Sequence, residues 1–536
     1  MTKTVVGVFA WIVVAVAFTW PIGNLSDPVL ARHDDPLFSA WRLGWVAHQL
    51  PRDLAHLFDT NVFFPERNTL AYSDAMLLLG LVAAPAVWLG VPLIIVHNLL
   101  VIASFVTAAL AMARLVAYFT PSREAQVIAA LVFAFAPYRA AHIVHLELLW
   151  SAFIPLALLA MYRLVERPSP ARGIAFGGAV GLQGLCSIYY AVFLAIWLPM
   201  ALVLSRLHVA RPWCRSHVYA LAVAMVTGAV LLSPYAIPYA SARSTLGPRD
   251  AGDIHSFSAT LSDYLRPSRH NRAYPVALRA TNDERGLTIG IVTSVLAILG
   301  IALAPSGVAL AIGVLTVMAI GLSLGVNGTL FEPLREIFPP LDGFRAFARF
   351  GVLALLGASL LCALAVARLL EARRVLQRRM LATALSALLL AEYWIAPIDS
   401  YTAPLRPGAL EKWLAEQPPT VVAAVPFPRL EESSGYETVF QYLSTFHWQP
   451  MVNGYSGHAS PAYRHLAATM QHFPSADAVQ LLRDRGAELV IFSESYSEPG
   501  QFDRFLYACQ NRAWFDDVYV FAGHGRGRAA ACRLRR

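Results

Sequence analysis

The chain has 536 residues, 57% hydrophobic and 14% charged, with a mean hydropathy of +0.52. That balance excludes a soluble globular protein and indicates an α-helical polytopic membrane protein. The formal charge is +8, almost all of it Arg in short runs between apolar stretches. Such runs suit loop orientation by positive charge and do not suggest a nucleic-acid partner.

A helix needs roughly 20 apolar residues to cross a bilayer. In chain order the candidate spans are 5–23, 92–118, 125–138, 148–165, 173–190, 191–207, 218–239, 287–304, 308–324, 350–370 and 380–395. The first has one Lys before it and no small-residue cleavage site after it, so it reads as a retained signal anchor. The run 75–90 is short and carries Pro85. Lys3 places the N-terminus inside, so the loop after the first span is outside. Arg114 and Arg123 belong inside, which leaves room for one crossing between them and that loop. The run 75–90 is therefore expected to dip into the outer leaflet without crossing. Arg163, Arg167 and Arg172 then fall inside, with Arg206, Arg211 and Arg215 and the run from Arg368 to Arg379. The loops left outside are 24–74, 139–147, 240–285 and 325–349, where function tends to sit. The expected topology is about eleven membrane helices with the C-terminus outside.

Residues 1–397 form the membrane domain in this reading, with a first external segment at 24–91. Residues 398–536 have ordinary charge content and no span. VVAAVPF, ELVIFSE and VYVFAGH read as strands. Stretches 410–416, 476–485 and 501–509 read as helices, the second opened by Ser475. These indicate a small soluble α/β domain outside the membrane. Five cysteines give no CxxC pair. Cys186 and Cys362 lie in spans, and Cys509 and Cys532 have the option of a disulfide in an oxidising compartment.

Three outside loops carry candidate chemistry. The first reads RHDDPLFSAWRLGW, with adjacent acids Asp34 and Asp35. An N-cap accounts for an Asp before Pro36. Equally, a carboxylate at that depth can act as a general base or hold a divalent cation such as Mg or Mn. Phe38, Trp41, Leu43, Trp45 and Val46 form an amphipathic set suited to the membrane interface. The second loop, APYRAAHIVHLELLW, holds Arg139, His142, His145 and Glu147. If helical, His142 and His145 share a face, and HxxHxE is a possible metal set without the HExxH order of a zinc protease. A polar helix end satisfied by water explains it as well. The last loop, PPLDGFRAFARFG, holds Arg345 and Arg349, four apart and on one face if helical. Two guanidiniums there suit a phosphate, and two snorkelling arginines are the plainer account. Loop 240–285 adds Asp263, Arg266, His270 and Glu284 without diagnostic spacing. Walker, GxGxxG, GxSxG and zinc-cluster motifs are absent, against an ATPase, a dehydrogenase or a serine hydrolase.

The pattern resembles the GT-C superfamily, integral-membrane glycosyltransferases that use polyprenyl-phosphate sugars. It is similar, more narrowly, to a group of uncharacterised bacterial membrane proteins that look GT-C-like. The resembling pieces are DPLFSAWRLGWVAHQL, NVFFPERNTLAYSD, APYRAAHIVHLELL, FRAFARFGVLALL, STFHWQPMVNGYSG and FPSADAVQLLRDRGAELVIF. The resemblance implies a bacterial plasma-membrane enzyme with the key acid at Asp35, or at Asp34. It implies a second acid near Glu147, though the narrow group tends to carry an amide there, which favours His145. Arg345 and Arg349 match the residues that hold donor phosphate. The implied reaction is inverting transfer of a sugar to a glycan, lipid or protein acceptor, with Asp35 taking the acceptor's proton. His447, Trp448, Asn453 and Tyr455 are acceptor candidates, or simply core. A lipid or glycolipid transporter and a non-catalytic scaffold with a partner-binding cap remain the alternatives. The first would need intramembrane charge, for which Glu392 is the exception among nearly acid-free spans.

Overall fold

Each apolar stretch condenses into helix in the computed structural model, which describes residues 2–209, 212–304, 306–430, 435–522 and 527–535. Arg211, Gly523 and His524, named above, lie outside the described residues. The helices matching the eleven stretches differ in length. Five among the described residues are long and apolar enough to cross a membrane: Leu93–Phe119, Leu146–Glu166, Ile188–Leu207, Arg215–Leu246 and Phe347–Glu371. Thr2–Phe18, Ile291–Leu303 and Gly307–Ser323 are apolar but shorter. Val375–Tyr393 is diluted by Gln377, Arg378 and Arg379. Leu77–Trp88 has 12 residues, about 18 Å at 1.5 Å per residue. That is well short of a hydrocarbon core of about 30 Å.

By its contacts the chain divides into two compact units. One comprises Met1–Ala31, Asn98–Ser233 and Pro248–Ser400. The other comprises Arg32–His97, Pro234–Gly247 and Tyr401–Arg536, so residues 32–97 cluster with the C-terminal region.

The first unit is a helical bundle centred on Gly351–Glu371, which is buried almost all round. A helix apolar on every face belongs in such a place. Arg123–Phe135, Ile291–Leu303 and Gly307–Ser323 pack around it. Within the unit, helices approach backbone on backbone. A Cβ on Gly300 would meet the Leu361 carbonyl at 2.1 Å, and one on Gly177 would meet that of Ala224 at 2.0 Å. Gly177 sits in a series with Gly173 and Gly181, the four-residue small-residue spacing that lets membrane helices approach closely.

The second unit holds a four-stranded sheet in the spatial order Val422–Ala424, Leu489–Ser493, Ala529–Leu534, Phe515–Phe521. The first pair is parallel and the others antiparallel. Three of these strands and the helices Ala409–Glu416, Ala476–Asp484 and Gln501–Ala508 fall where the sequence places them. The Ser475 side chain accepts from the Ala478 amide, as a cap should. A disulfide joins Cys509 to Cys532.

Candidate functional site

In the second unit, Asp35–Gln49 forms the helix after the acid pair, with Pro36 in its first turn. Asp34 occupies the N-cap position but makes no side-chain capping bond. Its Oδ1 instead accepts from Thr438 Oγ1 at 3.4 Å. Asp35 lies in the first turn, where the helix dipole favours negative charge. Its Oδ1 accepts from the Tyr455 hydroxyl at 3.1 Å, and its Oδ2 lies 3.2 Å from His33 Nδ1. The amphipathic set is not free for the membrane interface, contrary to expectation. Residues Pro36 to Ala47 are all buried within the protein. The reason is a lattice of polar tips. Trp41 Nε1 donates to Asn61 Oδ1 and Trp45 Nε1 to the Leu57 carbonyl. Arg42 donates to the Asp74 carbonyl and to Ser39 Oγ while lying over the Phe38 ring.

The cap residues behind Asp35 are mostly core. Asn453 bridges the Ala424 backbone and donates to Glu437. Trp448 stacks on His48 at 4.3 Å. Burial pushes the His447 imidazole down to about 4. Tyr455 is the exception, through its bond to Asp35. Glu437 is fully buried, and burial raises its carboxyl to about 8 despite hydrogen bonds that favour the charge. The unfolded chain therefore loses this proton first, near the ordinary 4.5. The contribution of Glu437 to stability is present below that value and is lost as pH climbs through about 8. Glu437→Gln is expected to flatten the fall of Tm across that window, read by thermal unfolding of the full chain.

In the first unit the polar centre is Glu284, a minor candidate by sequence. It sits in the turn Asp283–Arg285, capped by Asn282, and is 4% exposed. Arg349 grips both its oxygens, with Nε at 2.9 and 3.1 Å and Nη2 closer still. Burial works against ionisation of Glu284, but the Arg349 charge and hydrogen bonds prevail and hold the carboxyl well below its ordinary range. Arg349 also lies over the Tyr189 ring. His145 Nε2 is 3.9 Å from Glu284 Oε1. His142 packs its ring 5.7 Å from His145 and edge-on to Tyr138. Burial pushes its imidazole down to about 3. His142 and His145 lie in a turn between short helices and not on one helix face, yet they still converge. Glu147 is buried in the next short helix, within electrostatic reach of Arg349.

Arg345 and Arg349 do not share a helix face, because the backbone at Ala346 is non-helical before Phe347–Phe350. They part company. Arg345 is part-exposed, 3.3 Å from Asp253 Oδ2 and over the Phe257 ring. Beside it comes Arg249, which sequence reasoning missed. Burial and the neighbouring Arg345 and Arg349 charges lower its guanidinium, with Tyr189 and Asp253 opposing. Its Nε also donates to the Gly343 carbonyl at 3.3 Å. Only a Pro-Arg-Asp at a helix end signalled it.

The other candidates have the following partners. Arg139 donates to the Leu149 carbonyl and Ser151 Oγ, closing the break between Leu146–Leu149 and Phe153–Glu166. Tyr190 and Gln183 satisfy the Leu148 and Trp150 carbonyls at the same break. His270 lies 3.8 Å from Asp283, and Asp263 pairs with Arg285. Glu392 accepts from Tyr274 and from the Ile291 and Val292 amides, so it caps a helix. A transporter's intramembrane acid is thereby accounted for otherwise.

The sequence matches, over residues 7–394, the family described as a domain of unknown function, DUF6311. The chain belongs to that family. No curated protein matches it. Among solved structures it is similar to the arabinofuranosyltransferase AftD from mycobacteria, with TM-score 0.59 in the R1389S mutant and 0.57 in another structure. Identity is 16% and 15%, and the match covers 99% and 100% of this chain. The chain spans about 40% of the arabinofuranosyltransferase's length. It is also similar to the apo oligosaccharyltransferase of Archaeoglobus fulgidus, with TM-score 0.51 and 13% identity over 91% of this chain and 69% of that one. The DUF6311 chain thus shares its fold with these two transferases.

Proposed function

We propose that this DUF6311 protein is a membrane glycosyltransferase that moves a sugar from a polyprenyl-phosphate donor to an extracytoplasmic glycan, lipid or protein. The observation that carries the reading is the shared fold, which extends over nearly the whole chain in two membrane glycosyltransferases of different substrates. Asp35 supports it chemically. Its carboxylate is at a helix start and accepts from a tyrosine hydroxyl. In the proposed reaction Asp35 accepts the proton of an acceptor hydroxyl while that oxygen attacks the anomeric carbon with inversion, and the lipid phosphate leaves. Phosphate is an adequate leaving group without protonation. Arg345 and Arg249 hold the donor phosphate, since Arg349 is committed to Glu284. A divalent cation, Mg or Mn, at Asp35 belongs to the same proposal. So do the eleven crossings, a cytoplasmic N-terminus, an outside C-terminal domain and a bacterial plasma membrane.

Binding of a polyprenyl phosphate to the protein in nanodiscs tests the donor half. The phosphate is expected to bind well above the matching polyprenol. Arg345→Ala and Arg249→Ala should each weaken it about tenfold, the loss of one charged hydrogen bond. Equal binding of the alcohol would sink the assignment.

A further inference from the structure

The geometry points to a transition-metal site at His142, His145 and Glu284, for an ion of the zinc class. It goes beyond the transferase reading, because it holds whether or not the chain transfers a sugar.

One ligand atom from each residue lies within 4.8 Å of the other two, and all three residues are buried. The decisive observation is His142. It is 1% exposed, and neither ring nitrogen has a hydrogen-bond partner. A buried polar group left so costs about 1–3 kcal/mol. Buried imidazoles ordinarily donate at one nitrogen and accept at the other. Here the ring is turned instead toward a second imidazole and an ionised carboxylate.

Two imidazoles and one carboxylate are the donors of a borderline metal, and Mg or Ca would ask for oxygens throughout. Bonds of about 2.0–2.2 Å in a tetrahedron set ligand atoms roughly 3.4 Å apart. The His145–Glu284 separation of 3.9 Å needs only a small inward shift. Arg349 is compatible with this role for Glu284. Each carboxylate oxygen offers two lone-pair directions, so one can face the guanidinium and the other the ion. The guanidinium then fixes the carboxylate's orientation, as outer hydrogen-bond partners of metal ligands do. Three protein ligands leave a fourth position for water or an anionic oxygen.

The test uses the full chain, stripped with chelator in detergent and titrated with Zn²⁺ alone, then with Co²⁺ as an optical probe. Elemental analysis after desalting should give one equivalent of zinc. Co²⁺ should give the intense visible bands of a tetrahedral site. Zinc should raise Tm of the wild type. His142→Ala leaves the Arg349–Glu284 pair in place, so it should fold with Tm unchanged in the absence of metal. It should lose the zinc, the bands and the Tm response, and His142→Ala with His145→Ala should do the same. Metal retained by the double variant would place it on surface histidines and overturn the site. No zinc above the variant's level in wild-type protein would overturn it as well. Either failure leaves polyprenyl-phosphate binding, and with it the transferase reading, standing on its own test.

Discussion

Asp35→Asn should leave a folded protein whose sugar transfer falls by about 10²–10⁴-fold, the usual worth of a positioned general base. Asparagine keeps an oxygen for the Tyr455 hydroxyl, so the local structure is expected to hold. Asp34→Asn should cost far less, because the bond that Asp34 accepts from Thr438 is long. The assay is release of free polyprenyl phosphate from a panel of polyprenyl-phosphate hexoses and pentoses in proteoliposomes. Tm of each variant is measured alongside. Full turnover by Asp35→Asn would move the base elsewhere. A collapse of Tm would mean that the carboxylate matters for folding first.

The second large effect is on stability. Arg349→Ala strands Glu284 as a buried charge and is expected to cost about 3–5 kcal/mol. Replacing both residues with Leu should recover most of that loss, because the pair's desolvation cost disappears with its attraction. Thermal unfolding of purified wild type, single and double variants separates the cases. A single variant with wild-type Tm would show that the carboxylate finds water or another partner.

Much of the fold was legible because hydrophobic runs and turn residues are local signals. The strand Ala529–Leu534 was not, since AAACRL lacks the β-branched and aromatic residues that mark strands, and its place comes from pairing on both sides. The candidate loops were legible as loops, but their side-chain roles were not. Arg345 and Arg349 look equivalent by spacing, and a non-helical Ala346 sends one to Asp253 and the other to Glu284. The Glu284–Arg349 pair joins residues 65 apart in sequence, which no local pattern announces. The same holds for the tryptophans of Asp35–Gln49. Their spacing suggested lipid, and the partners that bury them are backbone and amide groups from a later loop.

The interrupted helix at Leu149 has a mechanical consequence. An unwound turn between two helices would ordinarily be a hinge. Here Arg139, Gln183 and Tyr190, from three segments, pin its carbonyls. The stretch bearing His142 and His145 is therefore a stiff bracket. A ligand arriving there pays little for ordering the protein, so its affinity is set by how well it matches a preformed shape, and selectivity among ions or headgroups should be sharp.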